Sequence, residues 1–163
     1  MIVVSDTTPL ISLLKINQLD LLERLFGEVL IPEAVFNELT VDERFQLEAN
    51  LIREKEFIAV KHVNNLESVS ILKRATGLDR GESEAIVLTD ELKADLLLMD
   101  EAKGRNVSAQ MGLRIMGTIG ILIAAYEEHE LTADEVRECV GGLQRAGRHI
   151  GQRHYQMLLE RLK

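Results

Sequence analysis

Asp6, Glu38, Glu82 and Asp100 each stand at the end of an apolar run or on a helix beside one. Asp6 follows Ile2-Val3-Val4-Ser5, and Glu38 lies one helix beyond Val29-Leu30-Ile31. Glu82 opens the helix before Leu96-Leu97-Leu98-Met99, and Asp100 closes that run. Parallel strands bring their carboxyl ends to one edge of a sheet, where open α/β folds bind ligands. Carboxylates gathered on such an edge repel one another unless something positive stands among them. A hard divalent cation, Mg²⁺ or Mn²⁺, meets that need with oxygen ligands. The chemistry expected is metal-assisted hydrolysis, in which the ion lowers the pKa of a bound water and steadies charge on a phosphoryl oxygen. It requires no histidine or lysine base, and His62, His129, His149 and His154 are scattered without ligand spacing.

Each acid taken alone has a plainer reading. An aspartate after a strand often caps the next helix, but Thr8-Pro9 already reads as a cap followed by a first-turn proline. That leaves Asp6 without the task, and the hydroxyls around it, Thr7 among them, can orient a carboxylate or a water. Asp100 and Glu101 both fall at a helix start, where the dipole favours negative charge. Asp100 is closer to the strand end and is preferred as the direct ligand, with Glu101 as its helper. Asp79, Glu82 and Glu84 crowd another first turn. Glu82 shares a face with Ile86 and Thr89 and therefore points to the sheet edge, whereas Glu84 shares one with Leu88 and stays open. Glu38 sits beside Ala34 and Val35 and leans inward, although a lone glutamate there is more often on the surface. Four such positions converging on one end of one sheet weigh more than any of them singly. Lys103 and Arg105, about a turn beyond Asp100, can meet substrate phosphates. Solvated helix charges are the commoner reading of such a pair.

The elements that must position these acids follow from the pattern of apolar residues. Met1–Val4, Val29–Ile31, Phe57–Val60, Asp95–Met99 and Leu113–Met116 read as five short strands. Between them lie helical patterns over Leu10–Ile16, Leu19–Phe26, the stretch after Pro32, Asp42–Lys55, Leu66–Ala75, the stretch after Asp79, and Ala102–Met111. Helices over Ile119–Glu128, Ala133–Arg145 and Ile150–Leu162 complete the chain. Short strands alternating with helices of about ten residues are the mark of a parallel sheet covered on both faces. No internal repeat, low-complexity segment or linker interrupts the pattern.

With 163 residues the chain is expected to form one domain, 1–163. Aromatics are 4% and tryptophan is absent, so the core must be mostly Leu, Ile, Val and Ala. The one cysteine, Cys139, excludes an internal disulfide and a thiolate zinc cluster. It lies in an apolar helical stripe and reads as a small core residue. The N-terminus lacks a secretory pattern, and no apolar run approaches the roughly 20 residues of a membrane helix. A cytoplasmic protein without membrane contact is expected. The net charge of −8 argues against broad coating of nucleic acid, but not against an enzyme that holds it locally through metal ions. Arg145, Arg148, His149, Arg153 and His154 make the C-terminal segment basic, with a solvated helix face as the bland explanation.

Four segments in this order resemble the PIN-domain family: Val-Val-Ser-Asp6-Thr-Thr-Pro-Leu-Ile, Ile-Pro-Glu-Ala-Val-Phe-Asn-Glu38-Leu, Leu-Asp-Arg-Gly-Glu82-Ser-Glu-Ala-Ile and Leu-Leu-Leu-Met-Asp100-Glu101-Ala-Lys-Gly-Arg. Gly117-Thr118 is similar to the turn after the family's fifth strand, where a threonine or serine often lies near the metal. The resemblance spans about residues 1–128. It is greatest to a subgroup of predicted nucleic-acid-binding PIN proteins related to VapC toxins of toxin–antitoxin pairs. It implies an α/β fold, a PIN-like three-layer α/β/α sandwich with about five parallel strands, with a helical C-terminal extension over about 130–163. It implies a Mg²⁺- or Mn²⁺-dependent ribonuclease with Asp6, Glu38, Glu82 and Asp100 as the acid set and Thr118 in support. RNA would be the substrate, and an antitoxin and a second copy of the chain the protein partners. The extension would complete a dimer, cover the site or bind a partner. A competing reading is a non-catalytic binding or regulatory module on the same fold. A haloacid-dehalogenase-type phosphatase also begins with a strand-end Asp but needs a second Asp two residues later, and position 8 is Thr.

Overall fold

The computed structural model describes residues 1–162. Five short strands form one sheet in which every neighbouring pair is parallel: β1 (Val3–Ser5), β2 (Val29–Pro32), β3 (Ile58–Lys61), β4 (Leu96–Leu98) and β5 (Ile115–Met116). Their order across the sheet is β3-β2-β1-β4-β5. The chain therefore runs outward from β1 in one direction, then returns to its other side. The point of reversal, between β1 and β4, is where the crevice of an open parallel sheet forms. There Val3, Val4 and Ser5 stand opposite Leu96, Leu97 and Leu98, and the Asp6 N–H donates to the Leu98 carbonyl at 3.0 Å.

The strands are continuous apolar runs because both faces are covered. Val3, Val29, Ile31, Leu96 and Leu98 pack on one side with Leu10 and Leu13 of α1 (Thr7–Lys15), Val35 and Leu39 of α3 (Glu33–Val41), and Ile121 of α8 (Thr118–Glu127). Val4, Leu30 and Leu97 point the other way, toward α5 (Leu66–Thr76) and α6 (Arg80–Glu91). This alternation makes the three layers, and the fold is the PIN-like α/β/α arrangement.

Beyond the sheet, α2 (Leu21–Phe26), α8, α9 (Ala133–Arg145) and α10 (Gln152–Arg161) share a third apolar cluster containing Leu21, Leu122, Val136, Val140, Leu143 and Leu158. Cys139 is buried there, as its stripe predicts. Helix α9 begins with a full capping box between Thr132 and Glu135. Helix α10 is tied down by Arg161, 2.7 Å from Glu127. Among the described residues no helix is long and apolar enough to cross a membrane.

Two local expectations are corrected. Asp42–Lys55 is not one helix: the Asp42 carboxylate accepts the Arg44 N–H at 3.0 Å and starts a 3₁₀ turn, Glu43–Phe45, before α4 (Gln46–Arg53). Thr8 does not cap α1; it lies inside the helix, and Asp6 occupies the cap position.

Candidate active site

Asp6 has the extended backbone of a cap residue, yet its side chain makes no capping bond to the next turn. It is 3% exposed and looks into a cavity of about 230 Å³ lined by Thr7, Thr8, Glu38, Asp79, Glu82 and Glu101. Burial pushes its carboxyl up to about 7, and the nearby charges of Asp79, Glu38 and Asp100 add to the rise. The Thr7 backbone N–H draws it partly back.

Glu82 comes from the first turn of α6, a helix with Gly81–Thr89 buried throughout because α3, α5 and the sheet all pack on it. Its Oε2 is buried without a hydrogen-bond partner. Burial first, then a hydrogen bond to the Asp79 side chain and the charges of Asp79, Asp6 and Glu101, raise this carboxyl to about 8. Asp79 caps the same helix, its Oδ1 accepting the Glu82 N–H at 2.8 Å. One aspartate thus starts the helix and faces the cavity. Sequence reasoning treated it only as a first-turn acid, although the spacing Asp79-x-x-Glu82 is that of a capping box and places both side chains together.

Glu38 is exposed yet reaches across to α1, where the Thr7 hydroxyl donates to its Oε2 at 2.8 Å. Its approach to α6 depends on Gly81, since a Cβ there would stand 2.9 Å from the same oxygen. Glu101 is the exposed cap residue of α7 (Ala102–Gln110), makes no capping bond, and lines the cavity. Asp100 sits just beyond β4 and is fixed to α8: its Oδ1 accepts the Thr118 N–H and its Oδ2 the Thr118 hydroxyl, both at 2.7 Å. It is electrostatically coupled to Asp6 but lines the neighbouring cleft rather than the 230 Å³ cavity. Gly117 allows the contact; a Cβ there would meet Asp100 Oδ1 at 2.9 Å and Arg105 Nη1 at 2.6 Å.

The structure therefore brings Asp6, Glu38, Glu82 and Glu101 to one cavity with Thr7 and Asp79. It sets Asp100 and Thr118 at its border with Arg105 alongside. Lys103 goes elsewhere, its Nζ reaching the Gly77 turn that ends α5. Glu84, left open by the sequence, is structural. Its carboxylate is 4% exposed, pairs with Arg80 Nε at 2.9 Å and accepts the Ala34 N–H at 3.2 Å, holding the first turn of α3 against α6. Glu84→Ala is expected to lower stability by about 1–3 kcal/mol, since it strands a buried donor. A denaturant titration checks this, and an unchanged midpoint would show that Glu84 does not tie the two helices.

A family model described as PIN domain matches residues 2–163. The chain belongs to the PIN-domain family. PIN domains are generally nucleases, and this chain has that nuclease-type fold. The match runs through α9 and α10 as well, so the C-terminal helices lie within the family's own span. Among curated proteins no match is found.

The donors around this PIN cavity are all hard oxygens, the kind that suits Mg²⁺ and Mn²⁺. An unpartnered buried carboxylate oxygen and two carboxyls held well above their usual range fit a missing positive charge. Among the described residues no three carboxylates already stand in a ready metal-holding group. Thr7 holds Glu38 and Thr118 holds Asp100 to the sides of the cavity.

Proposed function

We propose that this PIN domain is a Mg²⁺- or Mn²⁺-dependent endoribonuclease, the toxin of a VapC-like toxin–antitoxin pair. The observation that carries the reading is the buried, unpartnered Oε2 of Glu82 in a cavity with Asp6 and three further acids. Asp6, Glu82 and Asp100 would hold the ion, with Glu38 completing the acid set and Glu101 and Asp79 at the rim. A bound divalent ion supplies there an acidified water and neutralisation of phosphoryl charge.

The chain's own residues do the rest. Thr118 uses two donors to fix both oxygens of Asp100. Thr7 holds Glu38 in range of the α6 N-terminus. Arg105, beside Asp100 and outside any ion pair among the described residues, faces an incoming phosphate. An antitoxin protein and a second copy of the chain are the proposed protein partners, and the cytoplasm the proposed location.

A second reading, a non-catalytic module on the same fold, is favoured by the full engagement of Asp100 by Thr118. Incubating single-stranded RNA with the protein and Mn²⁺ separates the two. Cleavage is expected, and it should vanish on adding EDTA and in Asp100→Asn. Cleavage that survives the chelator, or an Asp100→Asn variant as active as the parent, would overturn the metal-nuclease reading. Partner binding untouched by Asp100→Asn, in a protein that cleaves nothing, would establish the module.

A further inference from the structure

The acidic cavity is bordered by a cleft of opposite character. A volume of about 590 Å³ opens between the start of α8 and the loop leading into α10, with Asp100 and Arg105 on one wall and His149, Arg153 and His154 on the other. From Cys139 to Leu159 the chain contains no Asp or Glu, in a protein of net charge −8. Of the other ten arginines, five are held in ion pairs: Arg24 with Glu130, Arg44 with Asp42, Arg80 with Glu84, Arg137 with Asp134 and Arg161 with Glu127. Arg105 and Arg153 have no such partner among the described residues. Ile119, Ile150 and Met157 add apolar surface to its lining. Helix α10 is anchored by buried Leu158 and by Arg161, so the basic wall is held in place rather than trailing.

Unpaired guanidinium groups, imidazole rings and apolar surface are the components that bind single-stranded nucleic acid. Cations track the phosphates while flat or apolar surfaces receive the bases. We infer that this cleft seats the RNA strand next to the phosphate being cut, with α10 as the substrate-holding element of the chain. The inference rests on the nuclease reading for the direction of the strand: Asp100, whose charge reaches Asp6, lines the cleft. It explains how a protein this acidic holds a polyanion, since the basic wall is local and faces the site.

The test measures binding without cleavage. The anisotropy of a fluorescein-labelled single-stranded RNA is followed in EDTA with the full-length protein, its Arg153→Ala/His154→Ala variant, and Arg74→Ala as a charge control on α5. Both altered side chains of the double variant are exposed, so the fold should tolerate it, and a melting curve verifies that. The double variant should bind roughly tenfold more weakly, with the log–log salt slope reduced by about 0.7 for each phosphate no longer neutralised. Arg74→Ala should bind as the parent does. Equal affinity of parent and double variant, or an equal weakening in Arg74→Ala, overturns the cleft. Equal competition by poly-glutamate replaces RNA with an acidic protein surface and also overturns it. Failure of the nuclease reading looks different: no Mn²⁺-dependent cleavage, with RNA binding that still depends on Arg153 and His154.

Discussion

Asp6→Asn is expected to abolish RNA cleavage while making the metal-free protein more stable at pH 8. In the unfolded chain the Asp6 carboxyl ionises near 3.8, whereas in the fold it ionises at about 7. The folded state therefore binds more protons than the unfolded state between these values, and stability falls as pH rises through that window. Below about pH 4 both states are protonated and the penalty is absent. Above about pH 7 it is complete, and a rise of this size corresponds to roughly 4 kcal/mol. Asparagine carries no charge to bury, so it removes the penalty. In EDTA at pH 8 the variant should melt roughly 8–16 °C above the parent, and at pH 4 the two should nearly coincide. Cleavage in Mn²⁺ should drop by at least about a thousandfold, the scale at which removal of an essential catalytic group acts. Equal melting at pH 8 would show that Asp6 is not a charge held at a cost.

The second large effect is stabilisation by the ion itself. A cation that binds only the folded state, at about a thousandfold excess over its dissociation constant, adds about 4 kcal/mol. Protons compete for the same oxygens, because Asp6 and Glu82 must both ionise to bind and their carboxyls sit near 7 and 8. The rise in melting temperature with Mn²⁺ should therefore be large at pH 8 and nearly gone at pH 5. In EDTA the trend reverses, with melting falling between about pH 4 and pH 8 as the two acids lose their protons against burial. A Mn²⁺ effect that is absent in the parent, independent of pH, or unchanged in Glu82→Gln would contradict the cavity as the binding place.

The sheet was readable in the sequence because parallel strands are buried on both faces. Leu96-Leu97-Leu98-Met99 and Val29-Leu30-Ile31 have no polar residue to misplace. Helix α9 was readable to the residue because its cap and its apolar stripe agree. What remained hidden depended on partners distant along the chain. Thr8 looks like a cap locally, but the Asp6 N–H is paired with Leu98 across the sheet, and the helix starts two residues earlier, with Asp6 at the cap. Glu82 and Glu84 differ by two positions in one helix, yet Glu82 keeps an unpartnered buried oxygen, while Glu84 pairs with Arg80 one turn back and, through the packing of α3 on α6, with the Ala34 N–H. The capping role of Asp79 is sufficient to explain it locally, and its place at the cavity shows only in the fold. The basic C-terminal stretch was visible as composition, but its place beside Asp100 follows from the docking of α10 on α8.

The central position of β1 bears on how the molecule comes into being. Its neighbours are β2 and β4, and the latter begins at Leu96, more than ninety residues along the chain. Contacts this distant are slow to form, because a long loop must close before they reward it. A growing polypeptide cannot complete the crevice until the second half has been synthesised and has slotted in beside the first. An unfinished copy thus lacks the crevice, and with it the meeting of Asp6 and Asp100, by topology alone.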